Sequence, residues 1–150
     1  GEEPVTVTAR ASGLVDEEIG KAGDFDSANV IMETASGRQC AIGNSRRATY
    51  GYDQRIEVHG SLGMVRAENQ REVSIEVATR DGYNKPPLFD FFMTRYIAAY
   101  AAEIAAFITF LGENFPVSPS GADGLRSLII AEAALKSVHE GRAIRVAEIS

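Results

Sequence analysis

The chain has 150 residues, 45% hydrophobic and 24% charged, with one cysteine and no tryptophan. That is enough apolar material for one domain with a core, and too much for a disordered segment. A formal net charge of −6 argues against nucleic-acid binding through bulk positive charge, and the lone Cys40 excludes an internal disulfide framework or a multi-cysteine zinc site.

No apolar run approaches the roughly 18–20 residues of a membrane span. The opening Gly-Glu-Glu-Pro is acidic and does not resemble a signal peptide, and it begins at Gly1 without a methionine. We therefore expect a cytoplasmic protein and a processed or excised chain.

Val5, Val7 and Ala9 alternate with Thr6, Thr8 and Arg10, the period of two expected of a half-buried strand. Residues 13–26 are acidic and without period, so a loop is predicted there. Ala28, Val30 and Met32 then oppose Asn29, Ile31 and Glu33, and Ser36-Gly37 turns into a third run over 38–48. A fourth strand is predicted at 54–59, with Ile56 and Val58 on one face. Gly60-Ser61-Leu62-Gly63 reads as a turn into Met64–Ala67, and Glu68-Asn69-Gln70 as another turn. Val73, Ile75 and Val77 mark a further strand, and residues 81–87, ending in Pro86-Pro87, a connection.

A long helix is predicted over 90–111, capped by Asp90 and ended by Gly112. Its stripe is Met93, Ile97, Tyr100, Ile104, Phe107 and Leu111. After the link at 115–119, Ser120 and Asp123 have capping-box spacing before a second helix. That helix would bury Leu128, Ala131, Leu135 and Val138 and stop at Gly141. Ala143, Ile144, Val146 and Ile149 read as a closing strand. Many strands, two helices and one strand make an α+β fold: an open, mainly antiparallel sheet of about six strands with helices on one face. The uncovered face is then expected to be a subunit interface.

There is no Gly-x-Gly-x-x-Gly on a strand–turn–helix, no Walker motif, no His-Glu-x-x-His and no nucleophile elbow. His139 is placed where an imidazolium favours a helix C-terminus, His59 on a polar strand face, and Cys40 is expected to be small and buried. Two polar clusters remain. Residues 44–53 hold Asn44, Arg46, Arg47, Tyr50 and Tyr52, suited to a polyhydroxylated or anionic ligand. Arg46 and Arg47 could equally bridge carboxylates on neighbouring strands. Residues 90–96 bring Arg95 and Tyr96 to the start of the long helix, either to wall a pocket or to pack, while Phe91 and Phe92 read as core.

The run from Arg47 to Gly63, with Tyr50-Gly51-Tyr52-Asp53-Gln54-Arg55 at its centre, resembles the C-terminal domain of the Gfo/Idh/MocA oxidoreductases, above all the inositol 2-dehydrogenases. Phe91-Phe92-x-x-Arg95-Tyr96, Tyr100-x-x-Glu103, Pro119-Ser120-x-x-Asp123-Gly124 and Ser137-Val138-x-x-Gly141-Arg142 continue the likeness in the family's order. The resemblance implies a substrate-binding and oligomerising half of a dehydrogenase acting on a cyclitol or sugar hydroxyl. Its own N-terminal Rossmann domain would bind NAD (or NADP), and the open sheet face would form a homodimer or homotetramer. Matched to the family's motifs, Tyr50 and Tyr52 are the first substrate-binding candidates, followed by Asn44, Arg47, Arg95 and Tyr96. The family's Asp-x-x-x-His pair and Rossmann half are absent from this sequence, and Asn84-Lys85-Pro86 stands in the wrong place for its catalytic Lys-Pro. The chain alone is expected to be inactive, with no catalytic, cofactor or metal residue of its own. The alternatives are a stand-alone, non-catalytic ligand-binding or dimerisation module, or a related enzyme for another sugar or sugar acid.

Overall fold

The computed structural model describes residues 1–113 and 118–149; the predicted link at 115–119 falls partly outside them. In chain order the elements are β1 (Pro4–Ser12), α1 (Glu17–Lys21), β2 (Ser27–Thr34), β3 (Gln39–Ser45), β4 (Ile56–Gly60), β5 (Gly63–Ala67), β6 (Val77–Thr79), β7 (Gly82–Asn84), α2 (Phe92–Arg95), α3 (Ile97–Glu113), α4 (Gly121–Glu140) and β8 (Ile144–Arg145). A 3-10 turn, Val146–Glu148, follows. The described residues form two compact units, 1–47 with 118–149, and 48–113. Every strand pair is antiparallel, as the α+β reading requires.

In the first unit the strand order is β3-β2-β1-β8. Val7 pairs with Met32 and Ala9 with Val30, so one face carries Val7, Ala9, Val30 and Met32. α4 lies on that face. Its Ala133 joins Val7, Met32 and Ile144 in the core, with Ile130, Ala134, Val146 and Ile149 packed around them. Small side chains on α4 let the helix approach the sheet closely, so the buried stripe is Ile130, Ala133, Ala134 and Ser137. The predicted Leu128 and Leu135 remain 57% and 40% exposed.

Ser137 is fully buried and polar, and it solves a local problem. β8 pairs with β1 through Thr6–Arg145 and Val7–Ile144, a register that, continued past Thr8 and Ala143, would oppose Ala9 to Arg142. There the strands part. The Ser137 Oγ fills the gap, accepting the Ala9 N–H at 2.9 Å and donating to the Arg142 carbonyl at 2.6 Å. α4 begins with the expected Ser120–Asp123 capping box and ends at Gly141 in the left-handed region, φ 70°. Before β2, the buried Asp26 carboxylate accepts the backbone N–H groups of Leu14, Val15 and Asp16 and the Ser27 hydroxyl. Burial would raise its pKa, but those bonds outweigh it and hold the acid below its ordinary value.

The opposite sheet face presents Thr6, Thr8, Arg10, Asn29, Ile31, Glu33, Gln39, Ala41 and Gly43. Ile31, 55% exposed, is its one large apolar side chain.

The second unit consists of two hairpins and two helices. β4 pairs with β5 so that Ile56, Val58, Val65 and Ala67 share one face, and Glu57, His59, Met64 and Arg66 the other. Leu88 is its buried apolar residue, at 7% exposure. Gly51 closes over Leu88: a Cβ there would stand 2.7 Å from the Leu88 Cβ and 2.9 Å from the Phe89 carbonyl oxygen, at φ +122°. The Tyr52 N–H then donates to that carbonyl at 2.7 Å. On α3, the stripe Ile97, Tyr100, Ile104, Phe107 and Leu111 is present as predicted, yet each residue stays 45–66% exposed.

Several expectations are corrected. The 13–26 loop contains α1, capped by Asp16. Val73 and Ile75 lie outside any strand, and the 81–87 connection instead forms the β6–β7 hairpin, because Gly82 at φ 128° allows a tight turn. The long helix is broken at Tyr96 (φ −105°, ψ 10°), and its N-cap is Phe91 rather than Asp90. Gly112 does not end α3, which runs to Glu113; a helix-ending glycine must turn left-handed, as Gly141 does. The closing strand is only two residues before the 3-10 turn. Cys40 is exposed, since α4 does not extend over β3, and Phe91 is 52% exposed rather than core.

Candidate functional site

The break at Tyr96 builds an aromatic cluster in the second unit. Tyr52 and Tyr96 meet edge-to-face at 5.8 Å between ring centroids, and Tyr96 meets Tyr100 at 6.2 Å. The Arg95 guanidinium lies 5.7 Å from the Tyr96 ring centroid, within cation–π range. Its Nε is buried and has no hydrogen-bond partner among the described residues. Tyr96 donates its hydroxyl proton to Gln54 Oε1 at 2.6 Å, so toward any other group its phenol oxygen is an acceptor. The Tyr52 phenol is held above its ordinary pKa, chiefly by its hydrogen bond to the Tyr96 hydroxyl and then by burial. The cluster thus offers flat apolar rings beside donors and acceptors.

A second cluster adjoins it along the chain. The Asp53 carboxylate accepts the Tyr50 hydroxyl, Arg55 Nε at 2.8 Å and Nη2 at 2.9 Å, and Asn69 Nδ2 at 2.7 Å. Arg55 first, then Tyr50 and Asn69, lower its pKa to about 2. The same bond raises the Tyr50 phenol above its usual value. Tyr50, Asp53, Arg55, Asn69, Arg71 and Lys85 contribute to the lining of an open cavity of about 600 Å³.

Of the sequence-predicted residues, Tyr52, Arg95 and Tyr96 come together directly. Tyr50 reaches them through Asp53, Asn69 and Gln54. Asn44 belongs to the first unit, opposite Ala28 on β3. Arg47 ends that unit, its N–H donating to Ser45 Oγ. Among the described residues neither Arg46 nor Arg47 forms an ion pair, which leaves the bridging reading without support. His59 pairs with Glu57 at 2.7 Å on the surface, and His139 tilts against Phe25.

Sequence reasoning gave no site role to Tyr100, placed in the apolar stripe and in the family motif, or to Asn69, placed only in a turn. Asp53 and Gln54 lay inside the motif without a role. An amide in a turn between two short strands is the signal that could have singled out Asn69.

Among the described residues no group of His, Cys, Asp and Glu could hold a metal. The Rossmann frame for a dinucleotide is a parallel βαβ unit with a glycine-rich turn; the described strand pairs are all antiparallel and do not form that frame. No described helix is long and apolar enough to cross a membrane.

The first unit is an antiparallel sheet backed by a helix, the make-up of an α+β domain. Residues 1–147 match the family model described as oxidoreductase family, C-terminal alpha/beta domain. The chain belongs to this Gfo/Idh/MocA family. It is 63% identical over 147 residues to inositol 2-dehydrogenase of Rhizobium meliloti (strain 1021), covering 98% of this chain and 44% of that protein. Myo-inositol 2-dehydrogenase of Thermotoga maritima is 44% identical over 149 residues, 99% of this chain and 45% of the relative. The crystal structure of a myo-inositol dehydrogenase from Corynebacterium glutamicum superposes with a TM-score of 0.89 at 36% identity, over 95% of this chain and 43% of that one. The chain thus spans less than half the length of these relatives.

Proposed function

We propose that this chain is the substrate-binding part of an NAD-dependent inositol 2-dehydrogenase. The observation that carries it is the Tyr52–Tyr96–Tyr100 cluster with Arg95 beside it. A cyclitol has a face of C–H bonds, which suits an aromatic ring, and a rim of hydroxyls that both donate and accept. The Tyr52 and Tyr96 oxygens accept from that rim, and the Arg95 fork supplies donors to it. These residues bind and orient the carbinol and exclude water around it, a positioning role worth orders of magnitude in rate. The cofactor and the proton acceptor belong to the additional length that the relatives carry, a Rossmann domain by family resemblance. The exposed stripe of α3, which includes Tyr100, is suited to face that domain. The flat outer sheet face around Ala41 and Gly43 is suited to a second copy of the chain, as homodimer or homotetramer.

The test is NADH formation from myo-inositol by the full-length protein and its Tyr96→Phe variant. Losing an oriented hydrogen bond should raise KM about tenfold, with the melting temperature within a few degrees. Wild-type kinetics in the variant would sink the assignment. The chain alone should form no NADH. If the full-length protein also forms none while binding polyols, the non-catalytic module is the better description.

A further inference from the structure

Asn69, in the turn after β5, contributes no atom to the tyrosine cluster yet holds both residues that organise it. Its Oδ1 accepts the Gln54 backbone N–H at 2.7 Å, and its Nδ2 donates to Asp53 Oδ1 at 2.7 Å. Only this orientation of the carboxamide works. Turned over, it would set an NH2 group against an amide N–H and a carbonyl against a carboxylate. Asn69 and Asp53 are half-buried and Gln54 is exposed, and the clamp joins three separate stretches of chain: the loop at 50–55, the turn at 68–70 and the α2–α3 junction through Tyr96.

We propose that Asn69 is a positioning residue of this site, an inference that rests on the reading of the tyrosine cluster as a polyol site. By fixing the backbone at Gln54, it aims the Gln54 carboxamide at the Tyr96 hydroxyl, 2.6 Å away. The Tyr96 proton is thereby committed to Gln54, and its oxygen lone pairs are turned toward the ligand as acceptors. By holding Asp53, Asn69 also restrains the carboxylate that receives the Tyr50 hydroxyl. Without the clamp Gln54 swings free, the Tyr96 hydroxyl rotates, and a polyol loses an oriented acceptor. Binding suffers before chemistry does.

The test uses the full-length protein that carries this chain. Asn69→Ala should raise KM for myo-inositol about tenfold and leave kcat within about threefold. Asn69→Asp keeps an acceptor for the Gln54 amide but sets a second carboxylate against Asp53. Like charges favour a shared proton, so its KM should be high at neutral pH and fall back toward the parent value near about pH 5. Parent-like KM in both variants at every pH overturns the proposal. Hydrogen exchange at the Gln54 amide separates this outcome from failure of the substrate reading. It should quicken at least about tenfold in Asn69→Ala, whether or not inositol is turned over. If the parent does not oxidise inositol, faster exchange upholds the clamp and unchanged exchange overturns it.

Discussion

Replacing Ser137 with alanine removes one oxygen atom and no shape. Ser137 is fully buried and Ala9 is 2% exposed, so the Ala9 N–H would lose its partner with no water to replace it. An orphaned buried donor costs about 1–3 kcal/mol. The Arg142 carbonyl is only partly buried, so losing its bond adds nearer the net value of about 1 kcal/mol. Together the loss is about 2–4 kcal/mol, or a fall of roughly 10 °C in Tm for a chain of this size. Ser127→Ala is the matched control, on the same helix but exposed and bonded only to the Asp123 carbonyl. It should fall within about 0.5 kcal/mol of the parent. Urea melts followed by circular dichroism give the comparison, and hydrogen exchange of the Ala9 amide localises it. Equal stability of the two variants would refute the role given to the Ser137 hydroxyl.

Asp53→Asn should alter acid stability in one direction. The native carboxyl has a pKa of about 2, below the usual unfolded value of about 3.9, so its contribution is complete above about pH 4 and lost as pH falls toward 2. The shift sets a ceiling of about 2.5 kcal/mol. Because Arg55 is 67% exposed, solvent screening reduces this to about 1 kcal/mol. Melts at pH 7 and near pH 2 should converge for parent and variant at the acid end; a constant gap would exclude the linkage. Ala41→Arg, on the flat outer sheet face, should shift the full-length protein to a smaller species in sedimentation at equal concentration. An unchanged species would remove that face from the assembly.

Much of the fold is legible because strand alternation and helix caps act locally. The alternation of β1 and β2 correctly sides Val7, Ala9 and Met32 together, and the Ser120–Asp123 box and Gly141 bound α4. What sequence reading misses depends on what packs against what. A periodicity search favours large side chains, so it selects Leu128 and Leu135 on α4 over Ala133 and Ser137, which the sheet actually meets. Cys40 sits on the side of the sheet that α4 covers, but one strand beyond the helix. Of the proposed site, Tyr52, Arg95 and Tyr96 are the residues that residue chemistry and motif single out in the sequence. Asn69 is not among them, because its importance comes from two partners 15 and 16 residues away, and a turn asparagine ordinarily bonds its own neighbours.

The pairing of β1 with β8 bears on how this chain reaches its native state. Val7 must wait for Ile144, while the whole of the second unit intervenes in sequence. During synthesis β2 can zip onto β3 early, since the turn between them is short, and β1 can join them across the segment that carries α1, but its other edge stays bare until β8 leaves the ribosome. Contacts of such long sequence separation close late, and an open strand edge invites pairing with a neighbouring molecule meanwhile. Substitutions in Ile144 or Ser137 should therefore act on the yield of properly folded molecules as well as on their stability, by prolonging the time for which that edge stands unguarded.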